Sequence, residues 1–76
     1  MYLVARYYRG IEIGSMRLLP NMDAVFQWLE KMRPNYYSMG EYISRGSSHR
    51  IYYFEHPEAP PKLITKKKLL KMYREI

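Results

Sequence analysis

Lys66, Lys67, Lys68, Lys71 and Arg74 place five cations within nine residues, and their shared chemistry is recognition of anions, phosphate first. With Lys62 they make six of the chain's 13 basic residues, and Glu75 alone opposes them between Lys62 and the end. Six bases less one acid gives residues 62–76 a charge of +5 out of a net +6, while seven bases and six acids leave residues 1–61 at +1. Charge separated in this way is a footprint for nucleic acid or another acidic surface.

The spacing strengthens that reading. On a wheel of 3.6 residues per turn, Lys67, Lys71 and Arg74 stand at i, i+4 and i+7 with Lys68 beside them. Leu69, Leu70, Met72, Tyr73 and Ile76 form the opposite, apolar face. The bland alternative is a solvated face on a helix docked through its leucines, yet such faces commonly mix signs at i,i+4. Lys66, Lys67 and Lys68 also occupy the first turn, where each cation opposes the helix dipole at a cost of about 0.3–1 kcal/mol. A local rule broken without visible compensation points to function, and a helix N-terminus with three ammonium groups suits a phosphate. A membrane is not an expected partner, because the modest apolar face is needed by the core.

Arg45, Arg50 and an aromatic strand face can extend this surface. Nine tyrosines in 76 residues are many. Strand geometry puts Arg50 on one face with Tyr52 and Phe54, and Arg6 on one face with Tyr2 and Tyr8. Taken singly, each ring fits the margin of a small core. As a set, Tyr52, Phe54, Tyr2 and Tyr8 suit either stacking on single-stranded bases or a protein interface. No RNP-type motif accompanies them.

Catalytic signals are sparse. Glu55-His56-Pro57-Glu58 matches no zinc or HExxH spacing, so no metal is expected. Glu12, Asp23, Glu30 and Glu41 are scattered, with no acid cluster for two-metal chemistry. No Gly-rich loop links a strand to a helix, so nucleotide hydrolysis is not expected, nor is any cofactor.

Gly46-Ser47-Ser48-His49-Arg50-Ile51-Tyr52, followed by His56-Pro57 and the basic helix, loosely resembles the HicA-type toxins over residues 22–76. Those are small RNA-cleaving proteins with a glycine-serine-histidine entry to a strand in a helix–strands–helix fold. The resemblance implies His49 as general acid/base, with nearby cations steadying the phosphate. The chain departs from that pattern by an extra serine before His49, an N-terminal hairpin, and a proline-rich connector in place of a third strand.

The elements that must carry these residues read as follows. Tyr2 to Tyr8 and residues 11–18 form a hairpin about Arg9-Gly10. Asn21 caps a helix with Met22, Val25, Phe26, Leu29 and Met32 on its apolar stripe, and Pro34 ends it. Residues 36–45 read as a third strand weakened by Gly40, Gly46-Ser47-Ser48 as a turn, and residues 49–55 as a fourth strand. Residues 56–61 hold three prolines and form a stiff connector. Lys62-Leu63-Ile64 can add a short edge strand, and Thr65 caps the basic helix.

The expected fold is therefore α+β, a β-hairpin–helix–β-hairpin–helix with a small antiparallel sheet and two helices on one face. Seventy-six residues make one domain, comprising a near-neutral tyrosine-rich body (1–61) and the basic C-terminal helix (62–76). Without cysteine there is no disulfide, and no segment approaches the ~20 apolar residues of a membrane span. No secretory signal is expected, and the cytoplasm is the default location.

The leading functional expectation is a small non-enzymatic module that engages nucleic-acid phosphate, or a nucleoprotein, through its last helix. The alternative is a viral or mobile-element inhibitor docking on a host protein or nucleoprotein complex, with its tyrosines as anchors. A homodimer is a further possible assembly, since helices on one sheet face leave the other open.

Overall fold

The computed structural model describes residues 1–45 and 48–75. Gly46 and Ser47 of the expected turn lie outside them, as does Ile76 of the expected apolar face.

β1 (Tyr2–Tyr8) and β2 (Ile11–Leu19) form the expected hairpin. Its two loop residues, Arg9 at φ 51° and Gly10 at φ 80°, both take the left-handed region. That geometry matches the twist of the flanking strands, and Gly10 adopts it at no steric cost. Farther along, Val4 pairs with Arg17 but Arg6 with Ile13, so two steps of β1 face four of β2. Gly14 (φ 73°) sits in this bulge.

α1 (Met22–Met32) starts where Asn21 accepts the Ala24 N–H at 2.9 Å. It buries Val25, Phe26 and Leu29. Arg33 ends it and clamps the next loop, its Nε donating to Glu30 at 2.7 Å and its Nη1 to the Pro34 and Tyr37 carbonyls.

The expected third strand is instead a helix, α2 (Met39–Ser44). The Ser38 hydroxyl accepts the Glu41 N–H at 3.2 Å, and Met39, Tyr42 and Ile43 are buried. The physical reason is spacing: those three sit at i, i+3 and i+4, so a helix buries all of them, whereas a strand would send Tyr42 and Ile43 to opposite faces. The described residues thus form three helices, and the second hairpin lies later in the chain than expected.

That hairpin is β3 (His49–Tyr53) and β4 (Lys62–Ile64), joined by the proline-rich connector. β3 also pairs antiparallel with β1, giving a four-stranded sheet in the order β2-β1-β3-β4. α3 (Lys66–Arg74) follows, with the Thr65 hydroxyl accepting the Lys68 N–H at 3.2 Å.

Register fixes the two sheet faces. Val4, Ile51 and Ile64 pair directly and are buried in one cluster with side chains of all three helices. Every helix therefore packs on that face. The other face carries an apolar row across all four strands: Leu18, Leu3, Tyr52 and Leu63 are successive register partners. Leu18 and Leu63 are 59% and 53% exposed, because no helix of the described residues covers them.

Candidate nucleic-acid interface

The cationic row stands on α3 because of how that helix docks. Leu69 is buried, and Leu70, Met72 and Tyr73 pack against the core, Tyr73 with its ring 5.4 Å from that of Phe26. Anchoring that stripe turns Lys66, Lys67, Lys68, Lys71 and Arg74 outward, and all five are exposed. Among the described residues the side-chain ion pair is Arg33 with Glu30 at 2.6 Å, far along the chain from α3. No carboxylate of the described residues lies within ion-pair reach of the five cations, although Glu75 lines the same hollow as Lys67, Lys68, Lys71 and Arg74.

Arg50 has the opposite strand parity to Ile51 and so belongs to the open sheet face, not to the α3 row. It lines a cleft of about 160 Å³ with Thr65, Lys66 and Leu69, where β3, β4 and the start of α3 meet. Its guanidinium lies 4.0 Å from the centroid of the Tyr7 ring on the open sheet face, a contact that holds the long side chain in one place. Tyr7 in turn meets Tyr52, hydroxyl to hydroxyl, at 3.3 Å. That hydrogen bond, foremost, pushes the Tyr7 hydroxyl above its ordinary pKa, with Glu12 adding to the effect and Arg50 opposing it. Arg45 is placed differently. It ends α2 with its guanidinium 4.8 Å from the Tyr37 ring centroid and its Nη1 donating to the Tyr37 hydroxyl at 3.3 Å.

The four aromatics named from the sequence divide between faces. Tyr52 belongs to the open face, and Phe54, one residue past β3, donates its N–H to the Met1 carbonyl at 3.0 Å. Tyr2 and Tyr8 share the parity of Val4 and so belong to the helix side. Tyr2 is partly buried against the core, while Tyr8 lies beyond the helices, exposed near Arg9.

Sequence reasoning missed Tyr53. Its ring meets Tyr2 at 5.4 Å, its cross-strand partner is Lys62, and with Lys68 and Met72 it lines a hollow beside α3. The signal was present, since Tyr53 has the parity of Ile51, but it becomes legible only once β3 is paired with β1.

His49 sits half-buried between helices α1 and α2. Its ring meets Trp28 edge-on at 4.7 Å, and its Nδ1 lies 2.8 Å from the Tyr42 hydroxyl. Burial, and then the positive charge of Arg6, push its pKa below the ordinary histidine value. Both effects favour the neutral ring. Glu55, His56 and Glu58 line a hollow under the connector, and no group of three metal-capable side chains converges among the described residues. No helix of the described residues is long and apolar enough to cross a membrane.

The chain matches no protein-family model, no curated protein and no solved structure.

Proposed function

We propose that this protein is a small non-enzymatic binding module that grips nucleic-acid phosphate through α3. The observation that carries the reading is the row of five exposed cations with no carboxylate within reach among the described residues. Three of them stand in the first turn, where they oppose the dipole yet reinforce the N-terminal N–H groups as an anion site. Arg50 shares a cleft lining with Lys66, but its guanidinium lies on the open sheet face and offers a separate cation there. The mode is positioning on the backbone with little reading of base edges, since point charges carry no sequence information.

The test is a salt titration with a labelled oligonucleotide. Five phosphate contacts give log K against log salt a slope of about −3 to −4 on a single strand. Substitution of Lys67, Lys71 and Arg74 together by glutamine is expected to remove about 2 from that slope. Binding that is flat between low and moderate salt contradicts the proposal.

A second reading, docking of this chain on a protein partner as an inhibitor would, is favoured by a separate feature. The open row of Leu18, Leu3, Tyr52 and Leu63 is apolar across the whole sheet width. Contiguous exposed apolar surface marks interaction sites. Capture from lysate with and without nuclease separates the readings. Partners lost on nuclease treatment favour phosphate binding, while a stoichiometric protein that survives nuclease and is lost in Leu63→Asp favours docking.

A further inference from the structure

We infer that α3 and Tyr53 together form a site for single-stranded nucleic acid, in which one base inserts beside Tyr53 while its flanking phosphates lie on Lys68 and the adjoining row. The inference rests on the phosphate-binding reading above and names which nucleic acid the site takes.

The hollow is built from two elements. Tyr2 and Tyr53 are register partners on the helix side of β1 and β3, with their rings 5.4 Å apart and tilted by 47°. Lys68 and Met72, one turn apart on α3, close the other side, and Ile64 lines the floor. The space is about 230 Å³. Pockets that engulf a drug-sized ligand measure about 300–1,000 Å³, so this one suits a single ring system carried on a polymer. Tyr53 is 36% exposed, which leaves ring surface open to a base, and its packing on Tyr2 restricts its rotamers in advance. Stacking on a ring already held costs less ordering entropy than stacking on a free side chain.

Charge decides on which side of Tyr53 the phosphates run. The hollow under the connector, which Tyr53 also lines, sets Glu55 and Glu58 against Lys62 and so offers phosphate no net attraction. The α3 side offers Lys68 at the rim, with Lys71 three residues on and Lys67 adjacent. A duplex presents no free base to this hollow, because its rings are stacked and paired. A single strand can turn one base in while its backbone continues along α3.

The test compares labelled oligothymidylate with an oligonucleotide of equal length containing abasic positions, which keeps the phosphates and removes the bases. The wild type is expected to bind oligothymidylate about tenfold or more tighter. Tyr53→Ser is expected to erase that difference while leaving abasic binding and its salt slope intact, and Tyr53→Phe to preserve it. As a measurement on the unaltered chain, photocrosslinking of a 5-iodouracil-substituted strand is expected at Tyr53. Equal binding of both probes with a steep salt slope overturns the base site and leaves phosphate binding standing. A crosslink at Tyr52, on the opposite face, overturns it also. If neither probe binds, both readings fall.

Discussion

His49 shows how one side chain's surroundings set its use. A histidine at a strand entry invites an acid/base role, but here the ring is wedged against Trp28 and bonded to the Tyr42 hydroxyl. Burial and the charge of Arg6 lower its pKa. The unfolded chain therefore binds more protons than the folded one between that lowered value and the ordinary value of about 6.5. The sign follows: the stability linked to this neutral ring is complete above about pH 6.5 and is lost as pH falls below it. Thermal unfolding followed by circular dichroism is expected to show a midpoint that drops between pH 7.5 and 5.5. His49→Gln is expected to flatten that drop, even if its absolute midpoint is lower through lost packing on Trp28. A slope unchanged by the substitution assigns the pH response to other groups.

At the scale of elements, the residues that announced themselves were those with local chemistry. Asn21 and Thr65 cap the two helices expected of them, and Arg9-Gly10 makes the tight turn. The error lay in residues 36–45, where Tyr36, Tyr37, Tyr42 and Ile43 suggested a strand by composition. Ser38-x-x-Glu41 is half of a capping box, and Met39, Tyr42 and Ile43 carry the helical spacing. Six residues give that spacing barely one repeat, so composition overrode it. Read as a strand, that segment pairs with β3 in place of β1, which hides the Tyr53 hollow and the Leu18-to-Leu63 row. The cationic row needed no pairing to be read, since it depends on one helix alone.

That helix carries a conflict that can be measured. Lys67 in the first turn opposes the dipole, so Lys67→Glu is expected to raise stability by about 0.3–1 kcal/mol in denaturant titration. The same change places a negative charge in the phosphate row and is expected to weaken oligonucleotide binding severalfold. Thr65→Ala should act in the other direction on stability, with a loss of about 1 kcal/mol as the Lys68 N–H loses its acceptor. A Lys67→Glu variant that gains stability and keeps full affinity would remove Lys67 from the site.

The whole molecule carries most of its excess charge on its last helix and leaves an apolar row, flanked by Arg50 and Glu12, on the opposite sheet face. Among the described residues the core cluster holding the two apart is small, ten buried side chains drawn from three helices and three strands. Net stability for a chain of this size is of order 4–11 kcal/mol, so one core truncation consumes much of it. Leu69→Ala, at about 2–5 kcal/mol, is expected to detach α3 and abolish binding without touching a cation.

Crowded like charges also tax the folded state, and salt relieves them. Raising sodium chloride from 50 to 500 mM is therefore expected to raise the melting temperature of the free protein by a few degrees, since a 1 kcal/mol gain moves a domain of this size by about 4–8 °C. The same salt is expected to strip bound oligonucleotide, whose own stabilising effect at low salt follows its occupancy. The two curves must therefore converge: with ligand, the melting temperature should fall with salt before it rises, and without ligand it should only rise. A free protein indifferent to salt would mean that the five ammonium and guanidinium groups of α3 do not strain one another.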